Sequence, residues 1–323
     1  MNINELYYMA SNVKLWNGRI DSEKNERYFQ LIKIINLISD KISDKYNTAI
    51  LGYCSDEGIK RNYGRGGASK GPNIIRRELA NFCIHKTQSQ PILDLGNITC
   101  NNGNLEYSQK ILSNIVANIL KRNIKTLLLG GGHEISLAHY NGINKAYKSK
   151  NIGIINFDSH FDLRKPVKPG YGTSGTSFYQ IYTNTKKYKQ KFNYLVIGIQ
   201  RAANSKKLFT TAKQLKINIL FAEDINNTNK NQKKYIDLFL QNIDIIYVTC
   251  CLDVFNSSIA PGVSSPQITG IFTNQAIPIL QHIFNTNKVV AMDIAELSPI
   301  LDINNNTSKL AARLAWEFLE HNQ

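Results

Sequence analysis

The chain has 323 residues, 42% hydrophobic and 20% charged, with 39 Lys and Arg against 24 Asp and Glu for a formal charge of +15. That length and apolar content bury a substantial core and exclude a mainly disordered chain, and no apolar run reaches the ~18 residues of a membrane helix. The basic residues are scattered, with only short runs such as Lys186-Lys187 and Lys233-Lys234, so the charge points to neither a nucleic-acid nor a membrane partner.

Short apolar runs alternate with longer amphipathic ones, which predicts an α/β protein with a mainly parallel sheet. Strand-like runs are Ala49–Tyr53, Thr126–Leu129, Ile152–Phe157, Tyr194–Ile199, Ile217–Phe221, Ile245–Cys250 and Val289–Met292. Helices are expected at Asn73–Phe82, Leu105–Arg122, Ile135–Lys148, Ser205–Leu215, Lys230–Leu240, Asn274–Phe284 and Ser308–Glu320, with an earlier one inside Glu23–Lys45. Pro72 suits the first turn of its helix. No repeat or linker is visible, so one domain over residues 1–323 is expected. The start, MNINELYYMASNVKLW, lacks a basic-then-apolar layout, which predicts a cytoplasmic protein. Cys54, Cys83, Cys100, Cys250 and Cys251 show no CxxC spacing, against a disulfide framework or a thiolate zinc site.

Polar residues gather just after the strands: GGGHE at 130–134, FDSHFDLR at 157–164, IGIQR at 197–201, CCLD at 250–253 and DIAEL at 293–297. In open parallel sheets the carboxyl ends of strands form the ligand crevice, so these segments are expected to meet. Asp158, His160 and Asp162 stand at i, i+2 and i+4, and an extended backbone turns all three to one face. Two carboxylates and an imidazole suit a divalent ion such as Mn²⁺, with His133 and Asp253 able to add ligands for a second.

Taken together, these motifs resemble the arginase-like ureohydrolases, and within them the formimidoylglutamase branch. The resemblance runs from about Leu51 to Arg313. It rests on GGGHE, on the D-x-H-x-D of Asp158-Ser159-His160-Phe161-Asp162, and on DEGIKRNYGRGGASKGPNIIRREL at 56–79. SGTSFYQI at 174–181, IGIQRAANSKKLF at 197–209, APGVSSP at 260–266 and DIAELSPILD at 293–302 complete it.

The resemblance implies a three-layer α/β/α fold with a sheet of about seven to eight strands and helices on both faces. It implies two manganese ions sharing a hydroxide, and hydrolysis of N-formimidoyl-L-glutamate to glutamate and formamide in histidine degradation. It assigns His133, Asp158, His160, Asp162 and Asp253 as metal ligands, with Asp158 between the ions and Asp162 also relaying a proton. Glu296 is placed against the amidinium group, and Arg65, Arg164, Ser174 and Arg201 are candidate anchors for the substrate carboxylates. A homo-oligomer is implied. Where arginases proper carry a histidine after their S-G-N motif, this chain has Phe178, which argues against arginase.

One position departs from the pattern. The family has D-x-D at the end of the sixth expected strand, where this chain reads Cys251-Leu252-Asp253. A neutral thiol removes one negative charge from a two-cation site, and a thiolate restores it with a soft sulfur that favours zinc or iron over Mn²⁺. One ion, or none, is then an open outcome. So is a metal-poor, weakly active or non-catalytic binder of small molecules on the same scaffold.

Overall fold

The computed structural model describes residues 4–321 except 22, 24, 86–89 and 228–230. Its regular elements run β1 Tyr8–Met9, α1 Tyr28–Leu31, β2 Ile32–Ile34, β3 Thr48–Cys54, α2 Glu57–Arg61, α3 Gly71–Ala80, β4 Ile92–Thr99, α4 Leu105–Leu120, β5 Lys125–Leu129, α5 Ile135–Ala146 and β6 Ile152–Phe157. They continue with α6 Ser177–Lys187, β7 Asn193–Ile199, α7 Lys206–Gln214, β8 Asn218–Phe221, α8 Ala222–Asn226, α9 Gln232–Leu240, β9 Ile245–Cys251, α10 Thr273–Phe284, β10 Val289–Ala295 and α11 Asn306–His321.

The strands form one sheet in the order β1-β4-β3-β5-β10-β9-β6-β7-β8, with β2 also paired to β4. Every ladder is parallel except β1 on β4. The central strands read as continuous apolar runs because both of their faces are covered. Alternation sorts their side chains between two cores. Leu127, Ile155, Leu195, Ile246 and Val248 enter one with α3, α9, α10 and α11, while Leu128, Ile154, Val196 and Tyr247 enter the other with α4, α5 and α6. That is the three-layer α/β/α arrangement, with ten strands instead of seven or eight. Among the described residues no helix is long and apolar enough to cross a membrane.

The extra strands lie at the β4 edge. Ile92–Thr99 carries Asp94, Gly96 and Asn97 in its middle, yet Asp94 and Asn97 are buried. Arg76 of α3 explains this: its guanidinium bonds Asp94 Oδ1 and Oδ2 at 2.8 and 2.9 Å and Asn97 Oδ1 at 2.7 Å, and Trp16 Nε1 adds a bond to Asp94 at 2.6 Å. The helix expected within Glu23–Lys45 is present but short. Among the described residues it is the single turn α1, after which the chain extends into β2 because Ile32–Ile34 pairs with Ile92–Asp94. Residue 24, within that expected helix, and Lys230, the expected start of α9, lie outside the described residues.

Candidate metal centre and active-site cavity

Four adjacent strands, β5, β10, β9 and β6, carry the chemistry at their carboxyl ends. Register levels them: Phe157 lies opposite Cys250, and Ala295 opposite Cys251, so Asp158, Cys251 and Glu296 leave the sheet side by side. His133 arrives by a different route. Gly130 and Gly131, with φ of 72° and 77°, turn the chain where a Cβ would meet Pro72 Cδ at 2.6 Å and Tyr53 O at 2.6 Å. Only glycine fits there. Side-chain alternation on β9 then divides its two final cysteines: Cys250 packs in the core with Val248, while Cys251 faces the site with Thr249.

The D-x-H-x-D segment is not the extended run expected. β6 stops at Phe157, the His160 N–H folds back onto Asp158 Oδ1 at 2.7 Å, and Asp162 adopts φ 47°. This local side-chain-to-backbone bond competes with continued strand. Asn204 secures the loop, donating to Ser159 O at 2.7 Å and accepting from Phe161 N at 3.1 Å. The three side chains still converge, through a turn instead of a pleat. His133 Nδ1 lies 3.0 Å from Asp158 and 2.8 Å from Asp162, and His160 Nδ1 lies 3.0 Å from Asp253 and 3.6 Å from Asp158.

Two sets of donors result. His133, Asp158 and Cys251 form one, and Asp158, His160 and Asp253 the other, with the donor atoms of each set within 4.8 Å of one another. Two donors on opposite sides of one ion span about 4.6 Å, so each set is the size of a single cation site. Asp158 belongs to both. Beneath them Thr249 Oγ1 sits 2.9 Å from His133 Nε2 and donates to Asp293 Oδ1 at 2.5 Å. Asp293 also receives the Tyr247 hydroxyl and bonds His139 Nδ1 at 2.7 Å. A partner on the far ring nitrogen fixes which nitrogen faces the site.

The electrostatics are those of crowded acids. Burial, then the charge of Asp158, pushes Asp162 up to about 6. Burial with the negative charge of Glu134 and Asp253 pushes Glu296 well above the carboxylate range. For Asp158 the effect of burial is outweighed by hydrogen bonds to His133 and His160, which hold it below that range. Burial opposes charging of both rings. Bonds to Asp158 and Asp162 outweigh it at His133, and the charges of Asp253 and Asp158 outweigh it at His160, so both stand well above ordinary histidine. Burial and the same carboxylates keep the Cys251 thiol up as well. Several buried acids sharing one pocket, some resisting ionisation, suit divalent cations that neutralise them.

His133, His160, Cys251 and Asp253 of these sets, with Asp162, open onto a cavity of about 290 Å³ also lined by Ile59, Asn62, Arg164, Ser174, Asn204 and Ser264. Glu296 reaches it with φ 74° and accepts the His133 N–H at 2.9 Å. Arg164 Nη1 bonds Asn62 Oδ1 at 3.2 Å, and Asn62 Nδ2 bonds Ser174 Oγ at 3.2 Å, so these three meet at the rim. Arg65 and Arg201 are not brought to the cavity. Arg65 is exposed and clamps a loop through the carbonyls of Val263 and Ser264 at 2.9 and 3.1 Å. Arg201 lies over Phe221 and pairs with Glu223 at 2.7 Å, beside a separate surface pocket. Phe178 packs edge-on to His133 with ring centres 5.4 Å apart. Asn62, Asn204 and Ser264 went unselected in the sequence, although all three lie within or beside its recognisable motifs.

The arginase family model matches residues 46–320. Formimidoylglutamase of Legionella pneumophila strain Paris is 42% identical over 316 residues, covering 98% of each chain. That of Clostridium tetani is 42% identical over 324 residues, covering 97% of this chain and 96% of its own. Among solved structures, formimidoylglutamase from Bacillus subtilis superposes with a TM-score of 0.81 at 22% identity over 94% of each chain. Trypanosoma cruzi formiminoglutamase with Mn²⁺ gives 0.79 at 23% identity, over 92% of this chain and 98% of its own.

Proposed function

Since the chain belongs to the arginase family of hydrolases, we propose that it cleaves the formimidoyl C–N bond of N-formimidoyl-L-glutamate, in histidine degradation, with manganese as cofactor. Relatives named formimidoylglutamase at 42% identity over nearly the full length support the substrate, and the manganese in the Trypanosoma cruzi structure supports the cofactor. The observation that carries the reading is the pair of donor sets sharing Asp158 at the floor of a cavity that also holds Glu296.

His133, Asp158, Asp162, His160 and Asp253 would hold the cations, with Cys251 in the place of a sixth ligand. A bound cation pair supplies Lewis acidity and makes water nucleophilic at neutral pH. Oxygen from water adds to the formimidoyl carbon, the bond from that carbon to the glutamate nitrogen breaks, and the nitrogen takes a proton, leaving formamide and glutamate. Asp162, at the cavity wall, is the group that accepts and returns that proton. Glu296 offers an acidic partner to the amidinium nitrogens, where fixed negative charge favours the cationic species. Arg164, with Asn62 and Ser174 beside it, is the anchor for a substrate carboxylate at the rim.

The test is release of glutamate and formamide by protein reconstituted with Mn²⁺. Turnover of formimidoylglutamate, with none of arginine or agmatine and none after Asp158→Ala, is expected. Preference for a guanidino compound would overturn the substrate assignment. A second reading, a small-molecule binder without turnover, rests on Cys251 alone; saturable binding of formimidoylglutamate with no product would establish it.

A further inference from the structure

Cys251 is the one donor in the pair of sets that is neither nitrogen nor oxygen. Its position is imposed by the fold. The last residue of β9 lies level with Asp158, and alternation turns its side chain away from the core that Cys250 enters. Cys251 is buried, lines the active-site cavity, and has Sγ within 4.8 Å of the donor atoms of both His133 and Asp158. The second set, Asp158, His160 and Asp253, offers only oxygen and imidazole nitrogen.

Ligand softness makes these two sets unequal. Carboxylate and imidazole suit Mn²⁺, whereas thiolate selects the softer or borderline ions of the same charge, Zn²⁺ foremost. We propose that Cys251 ligates as a thiolate and that the protein takes an unlike pair of cations: Zn²⁺ or a similar thiophilic ion among His133, Asp158 and Cys251, and Mn²⁺ among Asp158, His160 and Asp253. The thiol proton leaves to solvent as the sulfur–cation bond forms. The thiolate restores the single negative charge that a carboxylate would supply there. The proposal rests on the reading of the pocket as a cation-pair site, and it adds which ion each half selects.

Co²⁺ serves as the probe, because it enters nitrogen, oxygen and sulfur sites alike and shows a near-ultraviolet charge-transfer band only when sulfur is bound. Metal-free protein titrated with Co²⁺ should develop that band, and the band should stop growing once both sets are filled, by about two equivalents per chain. Cys251→Ser should still bind Co²⁺ at the other set and lose the band. Binding by the unmodified chain with no band, or a band that persists in Cys251→Ser, overturns the proposal.

A second measurement needs no serine variant. After incubation with equal Mn²⁺ and Zn²⁺, elemental analysis should find about one of each per chain, and Cys251→Asp should move the ratio toward two Mn²⁺. Equal ratios in the two proteins would refute the selection. Hydrolysis is scored separately. A band without turnover removes the functional reading and leaves the ligation, and turnover of formimidoylglutamate by protein that shows no band does the reverse.

Discussion

Glu134 is a fully buried carboxyl group that belongs to neither donor set, and its titration should be visible in the stability of the fold. Its Oε1 accepts the Gly58 N–H at 3.0 Å and the Ser55 hydroxyl at 3.2 Å, tying the start of α2 to the loop that carries His133. Burial pushes it from 4.5 up to about 7; bonds from the backbone and Ser55 pull against this, and Asp56 pushes with it. Between about pH 4.5 and about pH 7 the folded chain therefore keeps a proton that the unfolded chain has released. Its contribution to stability is complete below the lower value and is lost as pH rises through the upper one. That gap is worth about 3 kcal/mol. Glu134→Gln keeps a carbonyl for Gly58 and removes the titration. Urea unfolding of the metal-free proteins at about pH 5 and about pH 8 should show the unmodified chain losing ~3 kcal/mol relative to the variant. Parallel pH profiles would refute the reasoning. Hydrolysis should survive the change, since the acceptor for α2 remains.

Thr249→Val removes the hydroxyl between His133 and Asp293 and leaves both buried groups short of a partner; urea unfolding should show a loss of about 2–4 kcal/mol, and a loss below ~1 kcal/mol would contradict the network. Arg164→Met should raise KM for formimidoylglutamate ~10-fold or more with a smaller change in kcat, as expected of a lost charge-assisted bond to the substrate. Arg201→Met should leave both constants within about twofold, because its guanidinium is engaged with Glu223 and Phe221 outside the cavity. Mn²⁺ at ~100 times its Kd should stabilise the metal-free protein by about 2.7 kcal/mol. Asp158→Ala, which removes the donor common to both sets, should abolish that gain in thermal unfolding.

The parts legible in the sequence are those where local pattern and tertiary outcome agree. The seven apolar runs became strands because both faces of the sheet are covered, and the motifs after them met because parallel strands end together. β4 was illegible because Asp94 and Asn97 look like loop residues until Arg76, on the helix just before them in the chain, satisfies them. α6 was missed because Tyr, Thr and Ile in SFYQIYTNTKK are weak helix formers, and its helix is set by packing of Phe178 and Ile181. The strand β2 went unread inside Glu23–Lys45 because a short apolar run has no clear period. The side chains of the two donor sets could be singled out from residue type, spacing and family pattern. The anchors could not, because a motif places an arginine in a loop without aiming it: Arg164 turns to the rim, whereas Arg65 and Arg201 turn elsewhere.

Asp162 and Glu296 share a property with consequences for anyone seeking a hardier form of this protein. Both hold their carboxylates in place with a left-handed backbone, at φ 47° and 74°, a conformation that costs a residue with a Cβ about 1 kcal/mol or more. Glycine at either position would relax the backbone and remove an acid that burial disfavours, set against the bond that each acid makes to His133. A search for thermostable variants guided by survival alone can thus be drawn toward these two positions, and it would discard the two acids on which the proposed chemistry rests. Any such search needs hydrolysis scored in every round, because relief of backbone strain and the proposed activity meet at the same two residues.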